Sequence, residues 1–393
     1  MEDTVDIKED NFKEVFKFYK RRKPPPSFKD VLQVNDAFQE GHHIPPRSLS
    51  VREKEEIQSL GLVPPEGWQI FSFVSHPDLL LVRNPFSENG QLKWIEACLR
   101  EYPQNPNKTN LESCNITLSD SSWWDLATFS EGKKNNLLKK LRWVTLGYHH
   151  NWDTKQYSEN MKGLMPQDLK RLCSLVAKVL GFQDFVAEAA IINFYHENST
   201  LGPHTDNSEP NMSAPLLSFS VSAPFRNTEQ WRSTLLAVCT FRLPNSSISK
   251  KWSYYEVTDN SASSFGFFGQ SAIFLIGGTT KQTRPTAIFL HSGDILVMAG
   301  ATRQAFHAVP RIVLVEKTPW IAKSCDNSDS KNNDVTGVTS ENKDNYRLQG
   351  SIEVLEEHAL KYEVRKDILN YVKTSRININ VRQVLKPTMQ SLF

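Results

Sequence analysis

The sequence predicts an α+β protein with a mainly β core and a helical N-terminal extension. Three observations predict it. The first half carries apolar residues at helical spacing, as in "DNFKEVFKFYKRRKPPP". From about Val186 the period changes to two: "AAIINFYHEN" alternates, and "PLLSFS", "QSAIFLIGG", "TAIFLHSGDILVMAG" and "RIVLVEK" are short, branched and aromatic. Turn signals separate those segments, among them Gly277-Gly278 and Ser292-Gly293-Asp294. Several short strands at this spacing indicate a sandwich, jelly roll or barrel.

The elements follow in order. Phe12, Val15, Phe16 and Tyr19 share one face of a first helix, which KRRK and three prolines stop. Residues 24–66 are polar and proline-rich with little periodicity. "GQLKWIEACLREY" places Leu92, Ile95, Leu99 and Tyr102 on one face of a second helix. "PQDLKRLCSLVAKVLGF" is a third, with Pro166 at its start and Gly181 just past its end. After the strands, residues 323–347 are polar and read as disordered. A helix is expected at about 351–375, and "RININVRQVL" is one more alternating strand.

Composition excludes several classes. At 39% hydrophobic and 23% charged, the chain fits a globular protein with a real core. Its five cysteines are scattered without a C-x-x-C pair, which argues against a disulfide framework or a cysteine zinc site and suits a reducing compartment. No apolar run reaches the roughly 18 residues of a membrane span. The acidic start "MEDTVDIKED" lacks the features of a secretory signal and makes a poor mitochondrial transit peptide. A net charge of +2 does not by itself announce a nucleic-acid binder, so any such surface must come from local clusters.

Two H-x-D pairs invite a metal reading: His204/Asp206 in "STLGPHTDNSEP" and His76/Asp78 in "SHPD". Two histidines and a carboxylate on one face of iron leave positions open for cosubstrate and oxygen. In an extended strand, residues i and i+2 project to the same side. The competing reading is an ordinary polar pair. Asn193 and Tyr195 share a face of the strand just before His204, and His307 begins a later strand. These too have ordinary readings, a solvated strand face and a core histidine. In "RININVRQV", Ile377, Ile379 and Val381 face one way, and Arg376, Asn378, Asn380 and Arg382 the other. Inward arginines need anions; an edge strand with a solvated face is the alternative. His76/Asp78 has none of this company, encloses Pro77, and reads as a surface turn.

The ordered set N-x-Y…H-x-D…H…R-x5-R resembles the AlkB family of iron(II)- and 2-oxoglutarate-dependent dioxygenases. "LRWVTLGYHHNWD", "NFYHENSTLGPHTDNSE", "HSGDILVMAG", "SRININVRQVL", the "FKFYKRR" helix and "NPF" at 84–86 are most similar to the eukaryotic branch called AlkB homologue one. The resemblance covers most of residues 10–220 and 268–386. It implies a double-stranded β-helix, of the jelly-roll or cupin kind, with flanking helices. It implies that His204, Asp206 and His307 bind Fe(II). The stretch Asn193, Phe194, Tyr195, together with Arg376 and Arg382, would hold 2-oxoglutarate, Arg376 on its distal carboxylate and Arg382 at the metal end. Trp124, Tyr148, His149 and His150 match positions near the family's substrate pocket, with plain core packing as their alternative reading.

The implied reaction is oxidative removal of a methyl group from a nucleic acid, with O2 and 2-oxoglutarate consumed. Transfer RNA is the first expected substrate and DNA the second. Lys133, Lys134, Lys139, Lys140 and Arg142, and the run Lys20 to Lys23, are candidate phosphate contacts. A protein (histone) demethylase or hydroxylase of the same chemistry and a catalytically silent nucleic-acid-binding scaffold are the alternatives. The expected protein is a monomer without a membrane partner, in the nucleus or cytoplasm, with the mitochondrion as a further place. The expected domains are 1–140, helical and irregular, and 141–386, the dioxygenase domain. Residues 221–267 interrupt the latter without family likeness, either as an inserted loop or as intervening sequence retained in the transcript.

Overall fold

In a computed structural model of the chain, residues 9–35, 38–116, 118, 122–129, 134–222, 270–313 and 367–392 are described. The interruption expected at 221–267 lies almost wholly outside them, and the polar stretch 323–347 entirely so. Within the helix expected at 351–375, residues 367–372 are described and helical.

The first helix, α1 (Asn11–Lys20), buries Phe12, Val15, Phe16 and Tyr19, the face that the spacing predicted. Asp10 caps it by accepting from the Lys13 amide at 2.8 Å. There follow β1 (Gly41–Ile44), α2 (Val51–Ser59), β2 (Gln69–Phe73), β3 (Leu79–Arg83) and α3 (Glu88–Glu96). Next come β4 (Lys108–Thr109), α4 (Trp123–Phe129), α5 (Lys134–Lys140), β5 (Trp143–Asn151), β6 (Gln156–Lys162) and α6 (Gln167–Val179). The remaining strands are β7 (Ala189–His196), β8 (Leu201–His204), β9 (Leu216–Val221), β10 (Ser271–Ile276), β11 (Thr286–Leu290), β12 (Ile295–Met298), β13 (His307–Val313) and β14 (Ser375–Arg382).

Two antiparallel sheets face each other. The large one runs β1-β2-β3-β12-β9-β14-β7-β5-β4, with β6 paired to β5, and the small one runs β11-β10-β13-β8. From β7 to β14 the chain passes back and forth between the sheets. Strands β7, β9, β12 and β14 lie in the large sheet, and β8, β10, β11 and β13 in the small one. This is the double-stranded β-helix.

The N-terminal part departs from the expectation of a helical, irregular extension. Strands β1 to β3 belong to the large sheet, where β3 pairs with β12. They escape a periodicity search because β3, "LLLVR", is buried on both faces and shows no alternation. Helix α2 was hidden likewise: only Ile57 of it is buried. Its start is nevertheless written as Ser50 and Glu53, a reciprocal capping box.

Four layers result. Helices α3, α4 and α6 cover the outer face of the large sheet, where Trp94, Trp123, Leu172 and Val176 pack on Ile192, Phe194, Phe219, Ile377 and Ile379. Between the sheets lies a second cluster with Tyr195, Leu216, Phe274, Leu296 and Val309. Helix α1 packs on the outer face of the small sheet, against Ile273, Leu275, Phe289 and Ala308. Covering both faces of a sheet explains why strands such as β9 are buried at every position. In β9 the outward residues are Leu217, Phe219 and Val221, and the inward ones include Ser218 and Ser220. Polar groups therefore line the space between the sheets.

Candidate metal centre and active site

His204 ends β8 and His307 begins β13, and the two are direct partners across the antiparallel pair. Their rings lie 4.3 Å apart between centroids. Asp206 follows the end of β8 and turns its carboxylate between them, 3.8 Å from each Nε2. The ligand atoms of the three residues all lie within 4.8 Å of one another. Each Nδ1 faces a backbone carbonyl: His204 that of Gly202 at 2.9 Å, His307 that of Ala305 at 3.1 Å. A carbonyl can only accept, so both rings carry the proton on Nδ1. That leaves each Nε2 lone pair aimed at the centre, the tautomer a metal requires.

The electrostatics agree. Burial would raise the Asp206 carboxyl, but Arg382 foremost, then His307, His204 and Arg303, hold it far below the usual range. Burial, with His204 next, pulls His307 down to about 4, so its imidazole is neutral near pH 7. The His204 side chain is 34% exposed, which opens the centre on one side.

Arg376 and Arg382 both point between the sheets from β14, whose register sets Arg376 opposite Tyr195 and Asn378 opposite Asn193. Six residues of strand separate them by about 20 Å. Arg382 donates to Asp206 at 2.7 Å. Arg376 is 1% exposed. Its Nη2 donates to the Ser220 hydroxyl at 2.5 Å, while Nε and Nη1 find no partner among the described residues. Its guanidinium lies over the Tyr195 ring at 5.8 Å. Burial, which Tyr195 and Asp294 oppose, lowers this group to about 10. A buried guanidinium with two idle donors is costly unless an anion meets it. Among the described residues none does. A small carboxylate is the natural complement.

The donor set, two imidazoles and one carboxylate, suits a non-haem iron centre. The family model described as the 2OG-Fe(II) oxygenase superfamily matches residues 78–249 and 263–382. The chain belongs to the 2OG-Fe(II) oxygenase superfamily. Within it the chain is AlkB-like. It is 34% identical over 325 residues to "Nucleic acid dioxygenase ALKBH1" of Mus musculus, covering 78% of this chain and 71% of that protein. It is 30% identical over 306 residues to "tRNA demethylase abh1" of Schizosaccharomyces pombe, covering 73% of this chain and 80% of that one. "DNA N(6)-methyladenine demethylase ALKBH1A" of Arabidopsis thaliana is 27% identical over 346 residues, covering 80% and 77%. The family implies Fe(II) and 2-oxoglutarate, and the triad and the unengaged donors of Arg376 fit both.

Not every expected site residue of this oxygenase lies at the centre. Asn193 is half-buried on the inward face of β7, and Tyr195 belongs to the inter-sheet cluster. Phe194 points the other way, its ring 6.2 Å from Trp123 in the outer core. Trp124 lies in that same core beside Tyr371, 5.8 Å between centroids, and not beside the triad. Of the "GYHH" residues, His150 comes nearest: its Nε2 meets the Ser208 hydroxyl at 3.1 Å, two residues past Asp206. His149 bonds Thr145 at 2.8 Å instead. Tyr148 donates to Glu159 at 2.6 Å and accepts from Lys162 at 2.9 Å, sealed among Tyr157, Val384 and Leu385. His76/Asp78 forms a turn, as the sequence predicts. Asp78 accepts from the Ala301 amide at 2.9 Å and braces the link between β12 and β13.

Sequence reasoning missed three groups: Glu209, Arg303 and Tyr157. Arg303 is 1% exposed and donates to the Asp206 backbone carbonyl and, at 2.6 Å, to Glu209. Tyr157 donates to Glu209 at 2.9 Å. Arg303 and Tyr157 stand 94 and 52 residues from Glu209, so no local pattern joins them.

Proposed function

We propose that the chain is a nucleic acid dioxygenase that uses Fe(II) and 2-oxoglutarate to oxidise methyl groups on bases, with transfer RNA as first substrate and DNA as second. The observation that carries the reading is the Nε2–carboxylate–Nε2 triad together with the idle donors of Arg376. Fe(II), with 2-oxoglutarate and O2, supplies oxidation of a methyl C–H bond, and a hydroxymethyl group so formed on nitrogen leaves as formaldehyde.

The chain's own residues do the rest. His204, His307 and Asp206 would hold the metal. Arg376 grips the distal carboxylate of the cosubstrate, and Asn193 and Tyr195 line its path between the sheets. Arg382 keeps Asp206 ionised and fixed. The apolar residues between the sheets keep water from the cosubstrate end. Phe194 contributes to this site as packing behind β7.

Support for nucleic acid comes from the names of the relatives and from charge placement. Lys20, Arg21, Arg22 and Lys23 are exposed at the end of α1. That helix packs on β13 and β8, the strands that carry His307 and His204. Arg22 donates to the Glu197 carbonyl at 3.0 Å, between β7 and β8. Lys139, Lys140 and Arg142 are exposed just before β5, and Lys133 lies outside the described residues. Phosphates are the expected complement of both clusters. A methyl within a duplex requires a flipped or unpaired base, and His150, beside Ser208, is the residue of β5 placed to meet one. Buried free thiols at Cys98 and Cys173 suit a reducing compartment, nucleus or cytoplasm. Among the described residues no helix is long and apolar enough to cross a membrane.

The test is formaldehyde release by the purified chain with Fe(II), 2-oxoglutarate and O2, across methylated transfer RNA, methylated single-stranded DNA and methylated histone peptides. Release from the nucleic acids, abolished by His204→Ala, is expected. Release from peptides alone, or undiminished release by His204→Ala, would overturn the reading.

A further inference from the structure

Glu209 is a second carboxylate three residues from Asp206, yet it faces away from the triad. Its side chain is 2% exposed and both oxygens are fully engaged. Oε2 accepts from Arg303 at 2.6 Å. Oε1 accepts from Tyr157 at 2.9 Å and lies 3.1 Å from Nε of Arg382. The two arginines that Glu209 holds are the two that hold Asp206. Arg382 reaches its carboxylate at 2.7 Å, and Arg303 its backbone carbonyl. Two guanidinium and two carboxylate groups thus form one buried, charge-balanced cluster. Tyr157 belongs to β6, paired with β5, and its ring lies 5.2 Å from His150.

We propose that Glu209 is the positioning residue of the metal centre, setting Asp206 through Arg303 and Arg382 and tying it through Tyr157 to the β5–β6 hairpin. This rests on the metal reading of the triad. Physically, Glu209 does two things. It neutralises one of two positive charges packed against the metal's carboxylate, so a divalent cation enters a neutral surround rather than a positive one. It also fixes both guanidinium planes, so Asp206 has one orientation before metal arrives. Sequestered by three donors, Glu209 is withheld from the metal, which leaves the centre one carboxylate and two imidazoles.

The experiment is Mn(II) binding by the full chain, read from the loss of the free-ion paramagnetic resonance signal. The variants are Glu209→Gln, Glu209→Asp and the double variant Arg303→Met/Glu209→Gln, with thermal unfolding in a chelator as the check on folding. Glu209→Gln should weaken Mn(II) affinity by about 10- to 100-fold, the usual scale for groups that orient a ligand. Glu209→Asp keeps the charge and should lose less. The double variant removes one charge of each sign and should regain part of what Glu209→Gln loses, a coupling that general damage would not produce. Wild-type affinity in Glu209→Gln overturns the proposal, as does a double variant no tighter than the single one. A wild-type chain that binds no Mn(II) overturns the metal reading and this proposal together.

Discussion

The Arg382 guanidinium donates to the Asp206 carboxylate at 2.7 Å across 176 residues of sequence. It joins the last residue of β14 to the loop that leaves β8, and so the large sheet to the small one at the triad. The same strand carries Arg376 at its other end, where no protein anion among the described residues answers it. One arginine is therefore tied to Asp206, and the other keeps donors unengaged by the described residues, as the proposed cosubstrate clamp requires.

From this follows a split between stability and binding at Arg376. Arg376→Met removes two or more charge-assisted hydrogen bonds to the cosubstrate, worth about 1.5–3 kcal/mol each. The KM for 2-oxoglutarate should rise about 100-fold or more. Arg376→Lys should not restore it, because a point charge cannot reproduce the fork. Stability of the ligand-free chain should hold or rise, since a buried unpaired charge has been removed. Steady-state kinetics and urea unfolding of the same samples check both halves. A KM within threefold of wild type would remove Arg376 from the site.

A second prediction concerns acid. Burial, with Arg83 next, pulls His291 down to about 3, while the unfolded ring keeps its ordinary value near 6.5. Its folded value is depressed, so the stability it contributes is present above pH 6.5. That contribution is lost as pH falls from there toward 3, because the unfolded chain takes up the proton first. Each tenfold difference in proton affinity between the folded and unfolded ring corresponds to about 1.4 kcal/mol. Urea unfolding of the ligand-free chain at pH 7 and pH 5 should show a fall. His291→Gln, which has no such proton to bind, should show a smaller one, and an equal fall in both would contradict the assignment.

Gly147 supplies a third. Its φ is +68°, and an added Cβ would meet the Glu188 carbonyl oxygen at 2.0 Å. The position immediately precedes Tyr148 at the irregular register of β5 and β6. Gly147→Ala should cost more than about 1 kcal/mol. Because β5 is displaced from β7, turnover should suffer too. Differential scanning calorimetry and 2-oxoglutarate consumption measure the pair of effects.

How much of this was legible in the sequence depends on distance along the chain. Period-two alternation exposed β7 and β14, and the facing of Arg376 and Arg382 followed from it. The apolar face of α1 was legible residue by residue. The triad emerged once Asn193, Tyr195, His307 and the two arginines were taken together with His204 and Asp206. What stayed hidden has physical causes. Strand β3 is buried on both faces and so carries no alternation. Phe194 lies between two inward residues and so points outward into the helix-packed core. Arg303 and Glu209 are buried charges whose partners lie far off in sequence, and only the closed fold makes them neighbours. His149 and His150 look alike in "GYHH", yet successive residues of a strand face opposite ways, so one meets Thr145 and the other Ser208.

The most direct measurement is anaerobic titration of the purified chain with Fe(II) and 2-oxoglutarate, followed by visible absorption. A cosubstrate chelating iron held by two imidazoles and a carboxylate produces a charge-transfer band. The wild-type chain should develop it at one equivalent of iron. His204→Ala and Asp206→Ala should abolish it, and Arg376→Met should shift its appearance to far higher 2-oxoglutarate. A band of wild-type intensity in His204→Ala, or none in the wild-type chain, would contradict the placement of the metal centre.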